Sequence, residues 1–493
     1  MGAALMSEVE GTVIGHRDGH GFVRLPDGTP DVYLSPQEMR SVLHQDRVRI
    51  RVVRHDRKGR PEGRVLDILE RRKSPIIGRL LHESGVWLVA PEDRRYGQDI
   101  LIPKNATASA AAGQVVAVEL TEPPSMYSQP VGRITEVLGE IDDPGMEIEI
   151  AVRKFDVPHQ FSADTLAQAA ALPERLRSVD KRQRIDLTDV PLVTIDGDDA
   201  RDFDDAVYCE ALQRGKGKSA FVGWRLVVAI ADVSHYVKGG EPLDRDAFER
   251  ATSVYFPRRV IPMLPEKLSN GLCSLNPDQE RLCMVCDMVV GATGEVEAYQ
   301  FFPAVMRSHA RFTYTEVAVI LANTRGIEAD RRRDLVPHLL NLHDVYRALL
   351  KHRGTRGAVD FETTETQIVC DDNGRIEKIV PRVRTEAHRL IEEAMLAANV
   401  CAADFIRQHK HPALYRVHEG PTPEKRVALQ AYLRALGIGI GLSDDPTPGE
   451  LQAIAQATKD RIDAPQIHAM LLRSMQQAQY TATNSGHFGL AYE

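Results

Sequence analysis

The sequence predicts a multidomain protein: two small β-barrels at the N-terminal end, then a large mixed α/β (α+β) domain. Three observations carry this expectation. The 493 residues exceed what a single core holds. Residues 11–138 offer only short apolar runs punctuated by Gly, Asp and Pro, the pattern of small all-β units. Beyond residue 150, strong strand patterns mix with long helical ones. The expected boundaries are 1–73 and 74–138 for the barrels, 139–185 for a connecting segment and 186–493 for the large domain.

In the first barrel, Gly11-Thr12-Val13-Ile14-Gly15, Gly19 to Leu25 and Asp31-Val32-Tyr33-Leu34 read as strands. Arg47 to Val52 alternates arginine with aliphatic residues, so the two faces of that strand differ. Arg40 to Lys73 holds twelve Lys/Arg against five Asp/Glu. Basic charge beside the aromatics Phe22 and Tyr33 is a recipe for single-stranded nucleic acid. A charged edge strand is the competing explanation. The Gly-x-Gly-Phe-Val stretch resembles the RNA-binding motif of cold-shock domains, which implies an OB-fold barrel.

Ile76–Leu81, Val86–Ala90, Ile100–Pro103 and Val115–Leu120 make a second OB-like unit, its last strand placed as Arg47–Val52 is in the first. Ala106–Ala112 reads as a loop or short turn. The Asp142-Asp143-Pro144 stretch is a joint, after which Met146–Val152 is apolar and Ser162–Leu176 has helical spacing. In the large domain Leu226–Ala231 is a strand. Thr315–Leu321, Leu335–Leu350, Thr385–Phe405, Pro423–Leu436 and Pro465–Tyr480 have helical periodicity.

Net charge is −8, which argues against a uniformly basic coat and leaves local basic faces open. No apolar run approaches the roughly 18 residues that span a bilayer. The opening Met1–Met6 has neither a basic segment nor a long apolar one, so no membrane or secretory role is expected. Six cysteines without a dense framework suit a reducing cytoplasm. Cys283 and Cys286, in an apolar strand-like run with no second Cys/His pair nearby, read as buried thiols.

The chemistry gathers between Thr194 and Val207. An apolar lead-in, Val190 to Ile195, meets a loop with six aspartates, and Ala206-Val207 leads out. Carboxylates this crowded repel, and a hard divalent cation such as Mg²⁺ relieves them. A calcium loop is excluded, because no register puts Gly sixth and Glu twelfth. Asp204 and Asp205 point to opposite sides of an extended segment, so one loop can serve two ions. Two Mg²⁺ about 3.5–4 Å apart would neutralise a phosphodiester and activate water.

This stretch is similar to the signature of the ribonuclease II/R (RNB) family of 3′→5′ exoribonucleases, nearer ribonuclease R than ribonuclease II. The similarity continues through Ile230–Tyr236, Thr252–Pro257, Val260–Asn270, Leu390–Met395 and Tyr415–Glu419. It implies two cold-shock-like OB domains before an RNB catalytic domain. The implied activity is Mg²⁺-dependent, processive release of nucleoside 5′-monophosphates in cytoplasmic RNA turnover. The implied partner is single-stranded RNA, or structured RNA with a 3′ overhang.

Residue by residue, the resemblance implies catalytic and metal roles for Asp196, Asp202, Asp204 and Asp205. Asp196 and Asp205 would be the firmest ligands and Asp204 the least dispensable. Asp198 stands where the family pattern has Glu. Tyr255 would stack on the 3′-terminal base, with Phe361 either its second face or core packing. Tyr314 and Glu392 (or Glu393) would contact the ribose 2′-hydroxyl. Asp232 and His235 are expected in structural hydrogen bonds. The family's Ser-Pro-Ile-Arg-Arg-Tyr-Pro-Asp segment and S1 domain do not occur in this sequence, so weak turnover is expected. The alternative is an RNA-binding protein with an impaired, truncated RNB core.

Overall fold

The computed structural model describes residues 7–361 and 364–493. The chain divides into two compact units. One comprises Met1–Gln160, Val254–Ile261 and Val369–Lys378; the other comprises Phe161–Ser253, Pro262–Ile368 and Ile379–Glu493.

The first unit contains two closed five-stranded barrels. The first is built from Glu8–Gly15, Gly21–Arg24, Val32–Leu34, Arg47–His55 and Pro61–Glu70. Its third and fifth strands pair in parallel, Tyr33 opposite Glu62, and its first and fourth pair antiparallel. Period-2 alternation sends Val13, Val23, Val32, Leu34, Val48 and Ile50 inward, each at most 1% exposed. Burial of that set is what closes so short a chain into a barrel. Arg47, Arg49 and Arg51 therefore face out. The strand that carries them is no charged edge, because it is hydrogen-bonded to a neighbour on each side.

The second barrel repeats the order with Ile76–Glu83, Val86–Pro91, Ile100–Ile102, Gln114–Glu122 and Val131–Glu140. Gln114–Glu122 and Arg47–His55 are each the fourth strand of their barrel. Lys104–Ala106 is a short 3₁₀ turn leading into the Ala-rich loop. The apolar run after the joint is a helix, Met146–Lys154, with Glu147 and Glu149 in its first turn and Met146 and Val152 buried.

The second unit is organised on a seven-stranded mixed sheet. In spatial order its strands are Ile185–Leu187, Val296–Arg307, Glu280–Gly291, Phe221–Ala231, Asp205–Arg214, Val193–Asp196 and Ala310–Thr313. One face packs Val193, Ile195, Val207 and Leu226 with residues of the helices Tyr314–Ala322, Val336–Arg356 and Glu386–Gln408. The other face holds Leu192, Phe203, Ala206 and Val285. Cys283 and Cys286, three apart on one strand, fall in the two different clusters, so they are buried thiols and share no site.

A separate core of Leu429, Leu433, Leu451, Ile454, Ile467 and Leu471 joins the helices Pro423–Ala435, Pro448–Thr458 and Ala464–Ser474. The periodicity that predicts a helix over Pro465–Tyr480 overruns it. The helix ends at Ser474, Met475 is extended (φ −73°, ψ 160°), and Gln479–Thr481 is a strand paired with Tyr415–Val417. Strand pairing decides a segment that local helical spacing left ambiguous. The π-helical turn Lys267–Leu272 and the helix Pro448–Thr458 carried too weak a periodicity to be expected.

Candidate active site

Two neighbouring strands of the large sheet, with Val193 paired to Val207, bring their acidic ends together. Asp196 ends one, Asp205 begins the other, and residues 197–204 loop between them. Phe203 anchors the loop by turning into the core, 7% exposed. Around it, the Phe203 amide donates to Ser274 Oγ at 3.0 Å and Ser274 Oγ donates to the Arg201 carbonyl at 2.8 Å. The Leu275 amide donates to the Phe203 carbonyl at 2.8 Å. Next along, the Asp204 carbonyl accepts from Ala231 N at 2.9 Å. The backbone of the loop is thus fixed.

The strand Ala310–Thr313 runs parallel to Val193–Asp196, with Arg311 beside Thr194 and Thr313 beside Asp196. Arg311 Nη2 donates to the carbonyls of Gly197 (2.8 Å) and Asp198 (2.9 Å). Asp198 and Asp199 themselves are exposed.

The electrostatics are those of an under-compensated acidic site. Burial lifts the Asp196 carboxyl to about 7, helped by the charges of Asp205, Asp204 and Asp202 and opposed by Arg311. The Asp204 side chain is solvent-exposed; partial desolvation, then the charges of Asp202 and Asp205, lift its carboxyl to about 6. Burial raises Asp205 as well. Asp196 Oδ2 is buried with no hydrogen-bond partner. A buried carboxylate oxygen without a partner, set among like charges, is a ligand suited to a hard cation, so these residues fit a divalent metal. Among the described residues, no three of these aspartates bring ligand oxygens within 4.8 Å of one another. The set is spread more widely than one ion's shell.

Tyr314 begins the helix after Arg311's strand, capped by Thr313 Oγ1, which accepts from Glu316 N at 3.0 Å. Burial, then the charges of Asp196 and Asp205, push its phenol up to about 12, so it stays a donor at physiological pH. Its ring stacks on His388 at 4.0 Å and 18°. On the helix Glu386–Gln408, Glu393 is 6% exposed and bound to Arg353 at 2.6 Å. Glu392 is half-buried and meets Arg384 and Arg353. Of the two neighbours, Glu392 is the more accessible.

The remaining expected residues lie on other elements. Tyr255 lies on the two-stranded ribbon Val254–Phe256 and Arg259–Ile261, 63% exposed. Phe361 packs on the helical core of Leu429 and Leu451, its ring 6.0 Å from His468. Phe22 and Tyr33 are cross-strand partners in the first barrel, half-buried, with ring centroids 5.8 Å apart. The arginine row there is partly neutralised, Arg47 and Arg49 by Glu10 (both 3.2 Å) and Arg51 by Glu8 (2.6 Å). Asp232 binds Arg184 at 2.6 Å and His235 Nε2 meets Asp180 at 3.1 Å, both structural contacts.

Sequence reasoning missed Arg311, Ser274 and His388. For Arg311 a signal was present: six acidic groups in one loop demand a nearby cationic side chain, and an arginine precedes Tyr314 by three residues. Ser274 and His388 left no local signature.

Comparison with known proteins places these features. The RNB domain model matches residues 184–493, a cold shock domain model matches 88–162, and a ribonuclease B OB domain model matches 11–68. The chain is 47% identical over 487 residues to ribonuclease R of Vibrio cholerae, covering 98% of this chain and 58% of that protein. It is 47% identical over 485 residues to ribonuclease R of Escherichia coli, covering 98% of this chain and 59% of that protein. The chain therefore spans about three-fifths of the length of these curated relatives. Among solved structures, Mycoplasma genitalium RNase R in complex with ribose-methylated single-stranded RNA superposes with TM-score 0.90 at 26% identity, covering 98% of this chain and 75% of that one. The same enzyme in complex with double-stranded RNA gives 0.80 at 27% identity, covering 87% and 74%.

Proposed function

The chain belongs to the RNB family of ribonucleases, and from that membership and its acidic loop we propose that it is a 3′→5′ exoribonuclease releasing nucleoside 5′-monophosphates. The observation that carries this reading is the buried, partnerless Oδ2 of Asp196 amid three further aspartates. RNB nucleases depend on metal; here Mg²⁺, in two ions, is the proposed cofactor. Asp196 and Asp205 would hold it most firmly, with Asp202 and Asp204 completing the set. When bound, such ions neutralise the phosphodiester and lower the pKa of water.

The chain's own residues account for the rest. Asp204, whose side chain is exposed, would take up at its carboxylate the proton of the attacking water. The water oxygen bonds to phosphorus as the bond from phosphorus to the 3′-oxygen of the penultimate nucleotide breaks; that oxygen takes up a proton from solvent, and the terminal nucleotide leaves with a 5′-phosphate. Tyr314 Oη, protonated at neutral pH, and the Glu392 carboxylate supply a donor and an acceptor for a ribose 2′-hydroxyl, the group that distinguishes RNA from DNA. Tyr255 offers an exposed ring for a base to stack on, and Phe361 is the proposed second face. Such stacking ignores base identity. Phe22 and Tyr33, with the basic surface of the first barrel, receive the incoming strand. The proposed substrate is single-stranded RNA, or structured RNA with a 3′ overhang, and the proposed setting is the cytoplasm. Among the described residues the cysteines are free thiols, and no helix is long and apolar enough to cross a membrane.

The test is end-labelled single-stranded RNA incubated with the chain in Mg²⁺ or in EDTA, scored for gel shift and for mononucleotide. Mononucleotide release in Mg²⁺ alone is the expected result. A shift without release in either condition would replace the nuclease with an RNA-binding protein.

A further inference from the structure

The hairpin between the first two strands of the first barrel carries the turn His16-Arg17-Asp18-Gly19-His20. Gly15 and Gly21 pair at its base. The His16 amide donates to the His20 carbonyl at 2.9 Å and the Gly19 amide to the His16 carbonyl at 3.0 Å, with Gly19 at φ 91°. That conformation suits glycine and draws residues 16, 18 and 20 to one side. One ligand atom from each of His16, Asp18 and His20 lies within 4.8 Å of the other two. Among the described residues no other three His, Cys, Asp or Glu meet that condition.

A second observation points the same way. His16 Nδ1 accepts the Asp18 amide at 3.2 Å while facing Asp18 Oδ2 at 3.4 Å. That nitrogen and that carboxylate oxygen therefore already lie close together on the turn, and a cation held by both would take the place of the amide hydrogen on the nitrogen lone pair. The rings of His16 and His20 are stacked, 4.3 Å apart at 20°, so the two imidazoles are already gathered.

We infer that His16, Asp18 and His20 form a binding site for a borderline divalent transition metal, zinc above all, on the outside of the first barrel. Two imidazoles and one carboxylate are a zinc donor set that leaves a fourth position open to water or a phosphate oxygen. Ligand atoms around zinc stand about 3–3.5 Å apart, given bonds of about 2.0–2.2 Å. Side-chain rotation in an exposed turn closes the remaining gap. Mg²⁺ prefers an all-oxygen shell, so it does not compete here as it would at the aspartates. His20 also touches Phe22 (5.6 Å) and Tyr33 (5.5 Å). Metal binding therefore fixes a ring that borders the aromatic pair proposed to stack on RNA.

The experiment uses the full chain, stripped of metal and then held in excess Mg²⁺ to occupy the acidic loop. Zn²⁺ is titrated by calorimetry and Co²⁺ by visible absorption. The expected result is one zinc site and a tetrahedral Co²⁺ band. His16→Gln and Asp18→Asn should each weaken zinc binding by at least about tenfold, as a lost ligand costs no less than a lost outer-shell partner. Both variants should keep the wild-type circular dichroism, and Asp196→Asn should keep the zinc site. Absence of zinc uptake by the wild type, or equal uptake by His16→Gln and Asp18→Asn, overturns the assignment.

Discussion

Arg311 reaches across from its own strand to hold the backbone of Gly197, Nη2 to carbonyl oxygen at 2.8 Å, and its guanidinium lies 5.5 Å from the centroid of the Phe203 ring. One cationic side chain thus meets both the start of the acidic loop and Phe203 near its end, and its charge opposes the upward shift of Asp196. Its carbonyl contacts are directional, so charge alone does not replace it. Arg311→Met should lower kcat by about 10²-fold, the cost of a small misplacement at a reacting centre. It should also raise the Mg²⁺ concentration for half-maximal activity. Arg311→Lys should restore the Mg²⁺ requirement in part and the turnover less. An unchanged Mg²⁺ titration for Arg311→Met would remove the loop-holding role.

Asp204→Asn separates turnover from binding. The amide keeps the shape of the side chain but can neither take up a proton nor balance a cation. Mononucleotide release should fall by at least about 10²-fold, the lower range for a lost acid–base group. The gel shift with single-stranded RNA should remain within about twofold, because binding rests mainly on phosphate contacts and stacking. Wild-type release from this variant in Mg²⁺ would contradict its assignment as the least dispensable carboxylate.

Tyr314→Phe keeps the stack on His388 and removes one hydroxyl. If that hydroxyl meets the ribose, activity on RNA should fall about tenfold, equivalent to about 1.4 kcal/mol for one hydrogen bond. Activity on a substrate with 2′-deoxy residues at the 3′ end should hardly change. Parallel assays on the two substrates read this directly, and an equal loss on both would place the hydroxyl away from the sugar.

Much of this site was legible because its chemistry is local in sequence. Asp196, Asp202, Asp204 and Asp205 sit within ten residues, and the apolar residues that seat them, Ile195 and Phe203, are in the same stretch. The barrels were legible through alternation, as in Val48 and Ile50 between arginines. What stayed hidden depends on pairing between distant segments. The Glu8 and Glu10 partners of the arginine row lie on a strand some forty residues away, and Ser274 reaches Arg201 across 73 residues. The overrun at Tyr480 has the same origin, since Gln479–Thr481 follows its partner Tyr415–Val417 and not its own periodicity.

Stability of the first unit should depend on pH through His44. The side chain is 1% exposed, Nδ1 accepts the Gly15 amide at 3.2 Å, and the ring meets Tyr96 edge-on at 5.6 Å. Burial, followed by the charge of Arg95, lowers its pKa to about 4 from 6.5. The folded state therefore binds the proton less readily than the unfolded state. This contribution to stability is complete above pH 6.5, where neither state is protonated, and is lost as pH falls from 6.5 towards 4. At 1.36 kcal/mol per unit, the full swing is about 3 kcal/mol. Guanidinium unfolding followed by Trp87, in the second barrel of this unit, should give a lower midpoint at pH 5 than at pH 7.5. His44→Gln cannot take up a proton, so its midpoint should change less over the same interval, even though the lost packing makes it less stable at pH 7.5. A His44→Gln midpoint as pH-sensitive as the wild type would assign the acid lability to other groups.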